Sequence, residues 1–479
     1  NHTRLRTAHL STQVPIDLTV SRNERRVTLG VPVRDPVQGR IRPPLRRSRR
    51  NTMNAFCVYM LLVFLVGTFA AASDDTNINQ RTPDQIAGSD GVTHNANVII
   101  LPLNRKPHNN HSRSLLASST LSVFGSVRET GYYYAEVFLG TPPKRFELIL
   151  DTGSTISYVP CASCGNSCGQ HQDAAFDPAK SSTYKSVSCG SSNCYSGLSC
   201  QSNTCYYSRT YAEQSSSQGN IIEDTIQLNG VGSQPLVFGC EMRETGEIYR
   251  QRADGLMGLG LAEVSFPTQL AARGIIDDTF ALCFGAIEGG GALMFGSPSS
   301  LVGNPPIVYT GLVASARHPS YYVVILERVR VGSKDLSVHA GSNLKASYAK
   351  GYGTVLDSGT TFSYFPSEAF AAFKAELAAQ ITGLQHVDGP DPRYTDVCYK
   401  GAGEDHSRLS SYFPTMTLEF DGGATIVLQP VNYLFEHGVV SGAYCLGMFD
   451  NGHAGTLLGG ITFRNTLVVY DRQRQRVGF

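Results

Sequence analysis

LILDTGST at residues 148–155 and TVLDSGTT at residues 354–361 are two copies of one motif in this chain of 479 residues. The copies lie 206 residues apart, and in each an apolar run leads into Asp-(Thr/Ser)-Gly-(Ser/Thr)-Thr. A second echo follows each copy, because Gly255-Leu256-Met257-Gly258 is matched by Thr456-Leu457-Leu458-Gly459. A repeat of this length predicts two similar lobes, each of which delivers one carboxylate, Asp151 or Asp357.

The sequence around the motifs predicts a mostly β protein. The chain holds 48 glycines and 23 prolines, so turns should be frequent and strands short. From Tyr132 onward, alternating apolar segments are separated by turn residues. Helical spacing of apolar residues is convincing only over Ser367–Ala379, with Ser367 as the expected N-cap, and weaker over Phe266–Arg273.

Two carboxyl groups that share one proton can hydrolyse an amide bond. The ionised group takes a proton from water, while the protonated group polarises the carbonyl and later supplies a proton to the nitrogen. Two like charges in contact cannot both ionise cheaply, so the pair titrates in two separate steps. We therefore expect Asp151 and Asp357 to hold a water between them.

The residues that flank each Asp suit this chemistry. We expect Gly153 and Gly359 to let backbone N–H groups approach the carboxylates, and Thr152 and Ser358 to bond across to the opposite lobe. The hydroxyls of Ser154 and Thr360 are placed to bond the outer carboxylate oxygens. One Asp-Thr-Gly occurs by chance in many proteins, but two copies at this separation are a strong signal.

With these motifs in place, the segment from Tyr132 to Phe479 resembles the pepsin-like aspartic proteases. The opening Leu139-Gly140-Thr141-Pro142 and the closing Arg476-Val477-Gly478-Phe479 both match that family. The cysteine-rich plant and algal group is the most similar, through Phe176-Asp177-Pro178 and Val237-Phe238-Gly239-Cys240. The resemblance implies two β-barrel-like lobes on either side of a peptide-binding cleft, with Asp151 and Asp357 as the catalytic pair.

The sequence departs from the family pattern at the hairpin that closes over substrate, called the flap. The family has Trp seven residues after the first catalytic Asp, where this chain has Tyr158. The flap usually reads Tyr-Gly, whereas this chain has Tyr211-Ala212. Tyr211 is our expected flap tyrosine, with Tyr158 as its support, and Tyr206 and Tyr207 are the alternatives.

Cysteine usage predicts disulfides. Seven of the 12 cysteines lie between Cys161 and Cys205, a density typical of proteins outside the cytosol. Cys161-x2-Cys164-x3-Cys168 could also be read as a zinc or iron–sulfur site, but no second pair stands at metal spacing. We therefore expect no metal and no cofactor, and by resemblance Cys398 pairs with Cys445. The disulfide candidates are Cys161, Cys164, Cys168, Cys189, Cys194, Cys200, Cys205, Cys240, Cys283, Cys398 and Cys445.

The residues before the repeat divide into three segments. Residues 1–52 carry 12 Arg and three acidic residues, and we interpret this arm as non-native or disordered sequence. Residues 53–72 are apolar and end in small residues, which favours a cleaved signal peptide over an uncleaved signal anchor. Residues 73–127 are expected to be a pro-segment, 128–312 the N-terminal lobe and 313–479 the C-terminal lobe. The C-terminal lobe is expected to be truncated, because relatives continue beyond this point to a further Cys. Without that Cys as a partner, Cys283 would be unpaired.

The net charge of the chain limits the kinds of partner that it is expected to bind. The whole chain carries only +1, and the part after residue 52 is mildly acidic at −8, which argues against nucleic acid as a partner. We expect a monomer of the secretory pathway, extracellular or vacuolar, that acts on proteins or peptides. The segment 55–72 or a missing C-terminal segment would be its membrane anchor if it has one.

Two other functions compete with an aspartic endopeptidase. A catalytically inactive pepsin-like protein could serve as a binding or inhibitor protein, but inactive relatives usually lose one Asp or its Gly, and both are present here. A disulfide-rich adhesion module would not explain the repeat. The sequence therefore favours the enzyme.

Overall fold

The computed structural model describes residues 119–479 except 129, 288, 299–305, 340–341 and 391–396. The predicted arm, the signal segment and most of the predicted pro-segment lie outside the described residues. The pro-segment and lobe boundaries remain predictions. Of residues 73–127, the described part contains the first strand, which is paired within the N-terminal sheet.

The described residues fold mainly as β-strands. Those of the N-terminal half are β1 (Ser119–Phe124), β2 (Tyr134–Leu139), β3 (Lys144–Asp151), β4 (Tyr158–Pro160), β5 (Lys185–Ser186), β6 (Ser199–Gln201), β7 (Thr204–Thr210), β8 (Ser216–Leu228), β9 (Gly232–Thr245), β10 (Gly255–Gly258), β11 (Thr279–Phe284) and β12 (Gly291–Phe295).

The C-terminal half has shorter strands. They are β13 (Tyr309–Gly311), β14 (Val323–Val324), β15 (Leu326–Val331), β16 (Lys334–Asp335), β17 (Val338–His339), β18 (Ser342–Asn343), β19 (Thr354–Asp357), β20 (Ser363–Phe365), β21 (Gln385–Val387), β22 (Cys398–Lys400), β23 (Met416–Phe420), β24 (Thr425–Leu428), β25 (Leu434–Glu436), β26 (Ala443–Leu446), β27 (Met448–Asp450), β28 (Thr456–Gly459), β29 (Leu467–Asp471) and β30 (Arg476–Gly478).

Helices are few and short. The α-helices of the described part are α1 (Phe266–Ala272), α2 (Leu344–Tyr348) and α3 (Ser367–Gln380). Short 3₁₀ segments occupy Ala162–Cys168, Pro178–Lys180, Ile248–Arg250, His406–Ser411, Asp421–Gly423, Pro430–Asn432 and Gly460–Phe463. No helix in the described ranges is both long and apolar enough to cross a membrane.

Both predicted helices are present, but the predicted cap is wrong. Helix α3 begins at Ser367 with Pro366 as its N-cap. The Ser367 hydroxyl instead donates to Asp450 Oδ1 at 2.7 Å. A nearby carboxylate acceptor on β27 therefore replaces the local capping bond that Ser commonly makes.

The two sequence echoes are paired strands. In the first half β3 runs parallel to β10, with Asp151 opposite Gly258. In the second half β19 runs parallel to β28, with Asp357 opposite Gly459. All of these strands are largely buried, because both faces of a parallel pair are covered, and this explains their unbroken apolar sequence. The fold is the predicted mostly β, bilobal architecture.

One sheet joins the two halves of the chain. It runs β13-β30-β29-β11-β12-β1-β2-β3-β10-β4-β9-β8-β7-β6, with β5 on β8. The C-terminal strands β29 and β30 enter it through β11, where Phe280 lies opposite Tyr470 and their rings stack at 4.6 Å. The last strands of the chain are therefore paired with the N-terminal half.

Five disulfides tie the described loops to the sheets. They join Cys161 to Cys240, Cys164 to Cys168, Cys189 to Cys200, Cys194 to Cys205 and Cys398 to Cys445. The pairing of Cys398 with Cys445 is confirmed, as is the use of the cysteine cluster for disulfides. Cys283 is buried in β11 and is disulfide-bonded, and the described part of the chain contains no free cysteine, so the expectation that Cys283 is unpaired is wrong.

Candidate active site

Asp151 and Asp357 end their strands side by side. Each Asp is followed by a Gly that carries its backbone past the opposite carboxylate. A Cβ at Gly359 would lie 2.3 Å from Asp151 Oδ1, and a Cβ at Gly153 would lie 2.7 Å from Asp357 Oδ1. Real Cβ atoms do not approach oxygens this closely, so the contact of the two carboxyl groups requires glycine at both positions.

Hydrogen bonds around the pair follow the repeat. The N–H of Gly153 donates to Asp151 Oδ1 at 2.8 Å, and the N–H of Gly359 donates to Asp357 Oδ1 at 3.0 Å. The Thr360 hydroxyl donates to Asp357 Oδ2 at 2.7 Å. The matching Ser154 hydroxyl is buried near Asp151 but completes no hydrogen bond within the described residues.

Thr152 and Ser358 lock the two loops together. The Thr152 N–H donates to Ser358 Oγ at 3.0 Å, and the Ser358 N–H donates to Thr152 Oγ1 at 2.9 Å. Each hydroxyl then donates to a carbonyl of the opposite strand, Leu356 at 3.0 Å and Leu150 at 2.7 Å. Both side chains are buried, so these bonds hold the two Asp in a fixed mutual position.

The electrostatics of the pair favour one retained proton. Burial raises the pKa of Asp151, and the neighbouring Asp357 raises it further because two adjacent negative charges repel. The nearby Ser154 hydroxyl and the bond from the Gly153 N–H act in the opposite direction, but burial has the larger effect. The pair therefore keeps a proton at a pH where an isolated Asp would have lost it.

Tyr211 lies at the tip of the hairpin formed by β7 and β8. Its N–H donates to the Ser215 carbonyl at 2.8 Å, which closes the turn. Its hydroxyl lies 3.4 Å from the hydroxyl of Tyr158, on the strand that leaves Asp151. The two phenols thus meet as the sequence predicts, and Asp151 is near enough to raise the pKa of Tyr211 in addition to the effect of burial.

The two alternative flap tyrosines lie lower in the hairpin. Tyr207 is buried, stacks on Tyr158 with ring centroids 5.8 Å apart, and shares a hydrogen bond of 2.9 Å with Ser217. Tyr206 is partly exposed on the opposite face of β7. Neither is at the tip, so Tyr211 remains the predicted flap tyrosine.

Tyr321 and Tyr352 were missed by sequence reasoning. Burial raises the pKa of both phenols, and the charge of Asp357 raises it further. His318 stacks on Tyr321 at 5.0 Å and packs edge-on against Tyr352 at 6.1 Å. The sequence signal for Tyr321 was a pair of adjacent tyrosines in each half of the repeat. The Tyr322 carbonyl accepts from the Leu356 N–H just as the Tyr133 carbonyl accepts from the Leu150 N–H.

Comparisons with known proteins place the chain in a family. Residues 133–297 match the family described as "Xylanase inhibitor N-terminal", and residues 321–479 match "Xylanase inhibitor C-terminal". The chain is 31% identical over 396 residues to aspartic proteinase 39 of Arabidopsis thaliana, covering 77% of this chain and 78% of that protein. It is 29% identical over 355 residues to aspartic proteinase nepenthesin-1 of Nepenthes gracilis, covering 73% and 77%.

Solved structures with the same fold include basic 7S globulin from soybean. The TM-score is 0.58 at 22% identity, with 76% of this chain and 96% of that chain covered. Conglutin gamma from lupine seeds gives a TM-score of 0.59 at 22% identity. The family matches and the named relatives show that the chain belongs to the pepsin-like aspartic protease family, in its plant-type group.

Proposed function

We propose that this protein is an aspartic endopeptidase that hydrolyses peptide bonds with a water activated between Asp151 and Asp357. The observation that carries the proposal is the contact of the two carboxyl groups, each bonded by the N–H of its own Gly. Curated relatives named aspartic proteinases support the same reaction.

In the proposed reaction each group has its own task. The ionised carboxyl takes a proton from water, and the protonated one donates to the substrate carbonyl oxygen, so a tetrahedral intermediate forms without free hydroxide. Return of a proton to the nitrogen then lets the C–N bond break. The crossed bonds of Thr152 and Ser358 keep the carboxyls aligned, while Tyr211 and Tyr158 position the flap above them.

The proposal extends to substrate and compartment. Tyr321 and Tyr352, whose pKa values are raised by Asp357, would suit extended peptides with apolar or aromatic side chains. The disulfides require an oxidising route, so we propose synthesis as a secreted or vacuolar zymogen that acts as a monomer.

A binding or inhibitor protein is the second candidate, since the matching family profiles are described as xylanase inhibitors. Both Asp, both Gly and the crossed hydroxyls are present in this chain, and an inhibitor would not require them. Inhibition of a xylanase by the purified protein, without proteolysis, would favour this second function.

The test is hydrolysis of a denatured protein across pH by the wild type, Asp151→Asn and Asp357→Asn. We expect either variant to lose at least about three orders of magnitude in kcat, because members of a catalytic unit fail together. A transition-state mimic of the pepstatin type should inhibit the wild type. Activity should fall as pH rises through the raised pKa of Asp151. Activity within tenfold of wild type in a folded variant would refute the proposal.

A further inference from the structure

A second buried group of titratable side chains lies behind the flap, away from Asp151 and Asp357. It consists of His171, Glu241 and Glu244, whose nearest donor atoms all lie within 4.8 Å of one another. Glu241 is fully buried, Glu244 is 5% exposed, and the His171 side chain is 8% exposed. Sequence reasoning missed this group, because His171 lies in the polar segment between Cys168 and Cys189, which is typical of a surface loop.

A β-bulge brings the two glutamates to one face of β9. Residues three apart on a regular strand point to opposite faces. Here the register of β8 and β9 shifts so that Gln218 faces Arg243 while Gly219 faces Glu241. The extra residue, Met242, is exposed, and Glu241 and Glu244 both turn inward.

The loop of residues 161–175, which we call the stapled loop because a disulfide anchors its start, brings His171 to the same place. The Cys161–Cys240 disulfide ties the start of this loop to the residue next to Glu241. Gln172 N–H donates to the Arg252 carbonyl at 2.8 Å, and His171 Nδ1 bonds the Ala253 carbonyl at 2.7 Å. A carbonyl only accepts, so Nδ1 carries the proton and, in the neutral ring, Nε2 presents its lone pair to the glutamates.

The three facing atoms lack hydrogen-bond partners. His171 Nε2, Glu241 Oε2 and Glu244 Oε2 are buried and make no hydrogen bond within the described residues. The distance from His171 Nε2 to Glu244 Oε2 is 3.6 Å, too long for a good hydrogen bond. Two ligands that each lie about 2.1 Å from a tetrahedral zinc ion are about 3.4 Å apart, which is close to the observed separation.

We propose that His171, Glu241 and Glu244 bind a divalent transition-metal cation of the zinc class. One imidazole nitrogen and two carboxylate oxygens form a suitable donor set, and the bond from Nδ1 to a carbonyl is the usual support of a metal-binding imidazole. Glu241 is left with one oxygen for the ion, because Ser217 Oγ donates to its Oε1. Ser217 also bonds Tyr207, so the ion would fasten the stapled loop to the base of the flap hairpin.

The test measures cation binding directly, on full-length protein carrying Asp357→Asn to prevent self-digestion. After treatment with a chelator, Co²⁺ and Zn²⁺ are added at pH 7. We expect one Co²⁺ per chain, with the intense visible absorption bands of a four-coordinate site, displaced by Zn²⁺. Zinc should also raise Tm, because a ligand that binds the native state stabilises it.

Glu244→Gln, Glu241→Gln and His171→Ala should each weaken Co²⁺ binding at least about tenfold and abolish the Tm shift. The matched controls Glu263→Gln and His453→Ala change exposed side chains elsewhere and should leave both unchanged. Glutamine keeps the shape of the side chain, so these variants remain informative if His171→Ala fails to fold. Absence of Co²⁺ binding by the Asp357→Asn parent protein, or binding that survives Glu244→Gln and Glu241→Gln, would overturn the proposal.

Discussion

At the scale of single residues, Gly359 sets how closely the two carboxyl groups can approach. A methyl group at this position would lie 2.3 Å from Asp151 Oδ1, which is closer than real Cβ atoms come to neighbouring atoms. The carboxylate must then move, and misplacement of a catalytic group by about 1 Å costs on the order of 100-fold in rate. Gly359→Ala should therefore lower kcat by at least this factor.

The control for that variant is Gly438→Ala, since a Cβ there would meet no atom within 4 Å. Steady-state kinetics on one peptide substrate would compare the two variants, with thermal unfolding to establish that both fold. Equal activity of Gly359→Ala and Gly438→Ala would show that the glycine is not needed at the pair.

Residue identities at the pair could be predicted because the chemistry repeats. Asp, Gly and hydroxyl residues recur at fixed offsets, and the structure places them as a matched set. Within the described residues Ser154 makes no hydrogen bond, unlike its counterpart Thr360, although both side chains carry a hydroxyl. That difference depends on side-chain rotamers set by packing, which the motif does not encode.

At the scale of elements, the hairpin of β7 and β8 carries Tyr211 over the pair. Its phenol is supported by Tyr158, with the two hydroxyls 3.4 Å apart. Tyr211→Ala should lower kcat/KM by about one to three orders of magnitude, because a positioning element is lost. Thermal stability should change little, since Tyr211 is at an exposed turn and only partly buried.

Coupling between the two tyrosines is tested by a double-mutant cycle. Tyr158→Phe should weaken catalysis less than Tyr211→Ala, and its effect should largely vanish in the Tyr211→Ala background. Tyr206→Phe is the control, because Tyr206 lies on the opposite face of β7. Additive effects of Tyr158→Phe and Tyr211→Ala would mean that the phenols act independently.

Elements differed in how well the sequence predicted them. The apolar runs of β3, β10, β19 and β28 could be recognised because a buried parallel strand is apolar on both faces. The bulge in β9 could not, since Gly219 and Gly239 beside it are only two of 48 glycines in the chain, and nothing else in the sequence marks the register shift. The cap of α3 was wrong for a similar reason, because its competing acceptor Asp450 is 83 residues away.

At the scale of the whole molecule, buried carboxyl groups make stability depend on pH. Burial and mutual repulsion raise the pKa of Glu241, and burial raises the pKa of Glu244, above the ordinary value of 4.5. A carboxyl whose pKa is higher in the folded state than in the unfolded state binds more protons when folded. The contribution of these two groups to the free energy of unfolding is therefore fully present below about pH 4.5, and it is lost as pH rises towards the raised pKa values.

The metal-free protein should accordingly be more stable at pH 4 than at pH 8, by roughly 1.4 kcal/mol for each unit of pKa shift that is titrated. The measurement is chemical unfolding in the presence of a chelator, in an Asp151→Asn background. This background prevents self-digestion and removes the contribution of Asp151, whose pKa is also raised. Adding Glu241→Gln and Glu244→Gln together should reduce the pH dependence, because neither amide titrates; the part that remains comes from Asp254 and Glu147, whose pKa values are also raised by burial. Glu263→Gln, an exposed position, should leave it unchanged. Constant or increasing stability from pH 4.5 to pH 8 in the Asp151→Asn protein would show that the two glutamates are ionised in the fold, stabilised by a charge that compensates for their burial.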